Sequence, residues 1–185
     1  MYAILGEDRS DTDTLKVIVH RLLANPSLKV YVKGYSGSGE LKRKGAKQIK
    51  LYAKQGVSRF IICRDSDTRP QEEVLSEMHE AIVVPSGVAH PCCKVVPVQE
   101  LEAWILADLE KVQHVIPSWR PLPKPISQPE TIQHPKEHLI RLSHGANHKP
   151  RYRPVTFNPQ MAKFLDLATV YTKCPSFRAL KDFVL

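Results

Sequence analysis

The sequence predicts an α/β fold: a largely parallel sheet flanked by helices, with a Pro-rich C-terminal extension. Three observations carry that prediction. Short apolar runs of strand character alternate with amphipathic helical stretches four times before Ile116. The 185 residues are 42% hydrophobic, enough for one core of ordinary size. Eight of the fifteen prolines fall between Pro117 and Pro154, so that stretch is neither a continuous helix nor a central strand. The chain therefore reads as an α/β unit over residues 1–116, with a wrap and C-terminal helix over 117–185 packed on it as the same domain.

The elements follow in order. "YAILGE" (Tyr2 to Glu7) is a short buried strand. Ser10, with Asp13 three positions on, makes a capping-box-like start to a helix in which Leu15, Ile18, Val19 and Leu22 recur at helical spacing. "LKVYVKGY" (Leu28 to Tyr35) alternates like a strand and stops at "SGSG". A second helix covers Leu41 to Gln55 and ends at Gly56. "SRFIICRD" is the third strand, and "QEEVLSEMHEAIV" (Gln71 to Val83) the next helix. "CKVVPVQ" (Cys93 to Gln99) is the fourth strand, placed by Pro97 near a sheet edge or a strand end. Helix resumes from Glu100 to Ile116, and a final helix runs from Pro159 to Val170 with Met161, Phe164, Leu165 and Ala168 on one face.

A net charge of +8 favours a polyanionic partner such as nucleic acid. Cys63, Cys92, Cys93 and Cys174 show neither CxxC spacing nor a disulfide framework, which implies a reducing compartment. "MYAILGEDRS" lacks the basic start and apolar stretch of a signal peptide, and no run is long enough to span a bilayer. A cytoplasmic protein with no membrane partner is expected.

The chemistry lies in the acids. In a parallel α/β sheet, ligands gather at the carboxyl ends of the strands. Glu7 ends the first strand, Asp65 and Asp67 end the third, and Glu100 and Glu102 follow the fourth; Asp11 lies in the first turn after Glu7. Side chains two apart on an extended chain point the same way, so Asp65 and Asp67 can face one spot. Six acids at one edge would repel one another unless a cation held them. Hard cations such as Mg²⁺ or Mn²⁺ take oxygen ligands, and two such ions can clamp the oxygens of a phosphodiester. Each acid also has a plainer role as a helix cap or a first-turn acid that complements the helix dipole. On an ideal helix Glu100 and Glu102 diverge by about 160°, so both can serve one ion only if Glu100 precedes the helix. Asp108 falls in the apolar stripe, either buried with a partner or marking a site.

These residues resemble a known family. A glutamate after the first strand and a DxD after a later one is the order seen in the Toprim fold of primases, topoisomerases and overcoming-lysogenization-defect nucleases. "GEDRSDTDTLKVIVHRLL", "FIICRDSD", "ELEAWILAD" and "CPSFRAL", with "HPKEHLIRL", "RYRP" and "FNPQMAKFLDL", are similar to a family of small Toprim-like proteins of unknown function (domain-of-unknown-function family 4276), often encoded beside AAA ATPases in bacterial defence loci. The likeness covers nearly the whole chain. It implies that Glu7 is the Toprim glutamate, a metal ligand or general acid/base, that Asp65 and Asp67 are the metal-binding DxD, and that Asp11 and Glu102 match further acids of the related nucleases. Asp8 stands where many relatives have glycine.

Basic residues supply the complementary surface. Arg43, Lys47, Lys50 and Lys54 form one helical stripe, and Glu40 is the sole acid among seven basic residues between Glu40 and Phe60. Lys149 and Arg151 add charge in "HKPRYRP", where Tyr152 can stack on a base. Such a stripe suits a phosphate backbone, or is a solvated face. One of these cations, or Lys94, can stabilise charge at a phosphate. His134/His138 and His144/His148 have zinc-like spacing but are interrupted by Pro135 and Gly145. "SGSG" lacks the Lys-Ser/Thr ending of a P-loop, so any ATPase activity belongs to a partner.

The function expected is a nuclease of Toprim type dependent on Mg²⁺ or Mn²⁺, hydrolysing phosphodiesters of DNA or RNA with Glu7, Asp65 and Asp67 as catalytic residues. The alternative is an interaction or regulatory subunit docking to an AAA/ABC-type ATPase; a homodimer is compatible with either. An aspartyl-nucleophile phosphatase is disfavoured, because Arg69 stands where that class has Thr or Val and no late acidic motif follows.

Overall fold

A computed structural model describes residues 1–116, 119, 124–144 and 151–185 of the chain. Four parallel strands form one sheet: β1 (Tyr2–Gly6), β2 (Val30–Gly34), β3 (Arg59–Cys63) and β4 (Cys92–Val95), in spatial order β2-β1-β3-β4. The register sets Gly6 beside Gly34 and Cys63, and Cys63 beside Val95, so the four carboxyl ends form a row. β4 is an edge strand, and Pro97 falls just past its end, where no ladder hydrogen bond is required of it.

Alternation along the central strands divides the core. Tyr2, Ile4, Ile61 and Cys63 face α1 (Arg9–Leu22) and the C-terminal helices. Ala3, Leu5, Phe60 and Ile62 face α2 (Ser38–Lys54) and α3 (Gln71–Met78). α3 runs on through a π-helical turn at His79–Val83 into α4 (Val84–Ser86). Pro85 explains the turn: a proline has no N–H to donate, and its ring would collide with the carbonyl four residues back.

Several starts and stops differ from the sequence expectation. α1 is capped by Asp8, whose side chain accepts the Asp11 N–H at 2.9 Å, while Ser10 lies inside the helix. The expected helix from Glu100 is only α5 (Glu102–Leu106), followed by a 3₁₀ turn at Leu109–His114. Between them, Lys173 Nζ donates to the Ala107 carbonyl at 2.8 Å, and Asp108 accepts the Asp166 N–H at 2.7 Å. Asp108 is thus a half-buried residue with a structural partner.

The C-terminal part holds a 3₁₀ turn at Pro129–Thr131, α6 (Pro135–Leu142), α7 (Pro154–Met161), α8 (Leu167–Lys173) and α9 (Pro175–Val184). Prolines open α6, α7 and α9, at the first helical position where no N–H is needed. The single helix expected from Pro159 to Val170 is broken: Asp166 caps α8, and Arg21 Nη1 donates to the Ala162 and Leu165 carbonyls at 2.7 Å each. Met161 and Leu165 are buried as expected, but Phe164 and Ala168 are exposed. Leu139, Tyr152, Met161 and Phe177 share one core with Ile4, Leu15 and Trp104, so the extension packs on the sheet.

Gly34 marks a close approach. A Cβ there would lie 2.6 Å from the backbone of Asp8 and Arg9, so the end of β2 rests on the start of α1. No helix among the described residues is long and apolar enough to cross a membrane.

Candidate active site at the carboxyl edge of the sheet

The row of strand ends gathers the predicted acids, but on two sides of the sheet. Glu7 continues the alternation of Ala3 and Leu5, and Arg64 that of Phe60 and Ile62, so both turn toward α2 and α3. There Arg64 Nε lies 3.2 Å from Glu7 Oε1, and Arg64 Nη1 lies 2.5 Å from Glu77 Oε2. Glu77 also binds Lys42 and Arg69, and these three hydrogen-bonding cations pull its carboxyl down to about 2. Burial pushes Glu7 the other way, up to about 6; Arg64 opposes the shift, and Asp67 and Asp8 add to it.

On the other side, Asp65 follows Ile61 and Cys63 toward α1 and α5. Its Oδ1 accepts the Leu101 N–H at 3.0 Å, which brings Glu100 and Glu102 alongside. Burial, then Asp11, Glu102 and Glu7, drives the Asp65 carboxyl well above the ordinary aspartate range. Asp11 is raised for the same reasons, by burial first and then by Asp8 and Glu102. Glu102 is 2% exposed and raised by burial; its Oε1 accepts from Asn158 Nδ2 at 3.0 Å and Tyr152 Oη at 3.4 Å.

Lys136 completes this side. Its backbone N–H donates to Glu100 Oε2 at 2.9 Å, and its ammonium lies 3.6 Å from Glu100 Oε1. Burial works against its charge, but Glu102, Glu100, Asp65 and Asp11 outweigh that and raise its pKa. Glu100 does precede the helix proper, as sharing a site with Glu102 requires.

The DxD pair is divided. β3 stops at Cys63, and Asp67 has φ of +50°, pairing with Gln99 in an antiparallel bridge. Asp67 is therefore exposed and acts on Glu7, while Asp65 points among Asp11 and Glu102; the extended chain that would aim both at one spot is absent.

Arg43, Lys47, Lys50 and Lys54 are all exposed on α2. Arg151 is exposed, and Lys149 and His148 lie outside the described residues. Tyr152 is no stacking platform: it is 2% exposed, its phenol bonds Asn158 and Glu102, and burial pushes it far above the usual tyrosine range. Lys94 is engaged by the Leu75 carbonyl at 3.2 Å, and His134, with φ of +51°, stands outside α6. All four cysteines are free thiols.

Sequence reasoning missed Lys136, Arg64 and Asn158. Lys136 carries a legible signal: a cation in the first turn of a helix sits at the end of the dipole that repels it, so nearby acids are implied.

Among the described residues, no group of three acidic, histidine or cysteine side chains stands close enough to cage a metal ion. The donor chemistry nevertheless fits a hard cation. The donors are carboxylates, and burial raises Asp11, Asp65 and Glu102 alike, with Glu102 adding to the rise of both aspartates.

Comparison with curated proteins and with solved structures finds no match. A family model described as a domain of unknown function (DUF4276) matches residues 7–184, from the Glu7 strand end to the last turn of α9. The chain thus belongs to the DUF4276 family.

Proposed function

We propose that this chain is a cytoplasmic, Mg²⁺- or Mn²⁺-dependent nuclease of Toprim type, hydrolysing DNA or RNA in a bacterial defence setting. The observation that carries it is the meeting of Asp11, Asp65 and Glu102, from α1, the end of β3 and α5, at one largely buried edge of the sheet, where Glu102 adds to the raised pKa of both aspartates. Repelling acids in a protein interior call for a counter-charge, and strand ends of a parallel sheet are where ligands enter. One or two of these carboxylates, with water in the remaining positions, would hold the ion, which would supply Lewis-acid activation of a phosphate ester.

The chain's own groups do the rest. Glu7, poised near pH 6 and partly exposed beside Arg64, takes a proton from an attacking water. Arg64 steadies it and favours its charged form. The exposed stripe of α2 binds the phosphate backbone at a distance from the reacting bond. Plasmid, single-stranded DNA and RNA incubated with Mn²⁺ or Mg²⁺ test the proposal. Cleavage that Asp65→Asn and Glu7→Gln each abolish is the expected result.

One observation favours a second reading, a non-catalytic subunit docking to an AAA/ABC-type ATPase. Arg64 and Lys136 already neutralise Glu7 and Glu100 within the fold. No cleavage of any substrate, with or without that ATPase, together with co-purification of the two proteins, supports this reading instead.

A further inference from the structure

We propose that Lys42, Arg64 and Arg69 form a phosphate-binding site beside Glu7, and that Glu77 fills it as an internal stand-in which an incoming phosphate group displaces. That the phosphate belongs to a nucleic acid rests on the nuclease reading above; the anion site itself rests on geometry. Three cations, from α2, the end of β3 and the loop after it, converge on one carboxylate. Lys42 binds Glu77 Oε1, while Arg64 Nη1 and Arg69 Nη1 donate to Glu77 Oε2 at 2.5 Å and 2.7 Å. Among the described residues, Glu77 alone meets all three: Glu7 reaches only Arg64, and the exposed Glu73 only Arg69, at 3.6 Å.

The cluster is both fixed and reachable. The Arg64 side chain is 6% exposed, so the fold holds its guanidinium in place. Glu77 is 28% exposed, and Lys42 and Arg69 are more exposed still, so a ligand can meet the same cations from water. The site lies at the carboxyl edge of a parallel sheet, where ligands enter. Two guanidinium forks and an ammonium suit a tetrahedral group that offers more oxygens than the two of Glu77. The cations also draw the Glu77 carboxyl down to about 2, as a site built for negative charge does. Because Arg64 Nε stands 3.2 Å from Glu7 Oε1, a phosphate in the place of Glu77 would share one guanidinium with the group that takes the proton.

The test measures binding to the full chain in chelator, with inorganic phosphate by calorimetry and a short thymidine oligonucleotide by fluorescence anisotropy. Glu77→Gln removes the competitor and should bind both probes about tenfold more tightly than wild type. Adding Lys42→Gln and Arg69→Gln should cancel that gain. Glu72→Gln, the same charge change at an exposed position of α3, should give none. Glu77→Asp keeps the charge but stops one methylene short of the cations. It should show a smaller gain, and provides a folded protein if Glu77→Gln is too unstable to purify. A gain for both probes, or for the oligonucleotide alone, supports the site and assigns it to nucleic acid. A gain for inorganic phosphate alone supports the site and assigns it to a small phosphate. No gain in Glu77→Gln or Glu77→Asp, a gain that survives loss of Lys42 and Arg69, or an equal gain in Glu72→Gln overturns the inference. Cleavage by wild type in Mn²⁺ is scored separately, so the nuclease proposal stands or falls on its own.

Discussion

Arg64 joins two acids of opposite character: its Nε stands 3.2 Å from Glu7 Oε1, and its Nη1 stands 2.5 Å from Glu77 Oε2. Glu7 is raised by burial and Glu77 is lowered by its cations, so one guanidinium links a reluctant carboxylate to a firm one. Arg64 is itself buried. Arg64→Met should cost about 3–5 kcal/mol at pH 7, because it leaves the Glu7 charge unpartnered. The loss should shrink at pH 5, where Glu7 can take up a proton instead. Urea unfolding at the two pH values measures this, and an equal loss at both counts against the linkage.

Glu7 gives stability its own pH slope. Its folded pKa of about 6 exceeds the ordinary 4.5, so the folded state holds the proton more tightly. That contribution is complete below pH 4.5 and is lost as pH rises through about 6, on the order of 2 kcal/mol. Glu77 runs the opposite way: its contribution is present above pH 4.5 and lost as pH falls through about 2. Glu7→Gln should flatten the stability profile between pH 4.5 and 6 and leave the acid limb intact. Chemical denaturation across that range checks it.

Asp8 has a definite task. Its side chain accepts the Asp11 N–H and starts α1. Asp8→Ala should destabilise by about 1 kcal/mol, whereas Asp8→Asn should retain the cap. Thermal melts of the two variants separate the cap from the charge.

The α2 stripe should affect binding and not folding. Arg43, Lys47, Lys50 and Lys54 are exposed, so changing all four to glutamine should shift stability by little, about 0.5 kcal/mol or less per site. If they contact phosphates, each change should also reduce the salt dependence of nucleic-acid binding by roughly one unit of log–log slope. Fluorescence anisotropy over a salt series reads that slope, and an unchanged slope removes the stripe from the interface.

Short apolar runs made the sheet legible: "FIIC", bounded by charged residues and too short for a buried helix, reads as a buried strand. The acids at strand ends were legible for the same reason: once strands are placed, their ends are known. Local chemistry decided what was misread. Ser10 has the composition of a cap, but Asp8 reaches the free N–H first. Asp67 fits an extended DxD on paper, yet its positive φ turns it away from Asp65. Lys136 reaches Glu100 across 36 positions of chain, a contact that no short-range pattern encodes. Tyr152 looked available for stacking because Glu102, the buried acid at its phenol, lies 50 positions away in sequence.

The absence of a side chain at Gly34 has a mechanical consequence. Main chain presses on main chain where β2 ends and α1 begins, so the stiffness of the hydrogen-bonded sheet is transmitted to the turn carrying Asp8 and Asp11. The interval between Asp11 and Asp65 is then gauged by strand spacing instead of loop length. A methyl group at that one point would act as a wedge against the Asp8–Arg9 main chain, widening the interval without touching any carboxyl group.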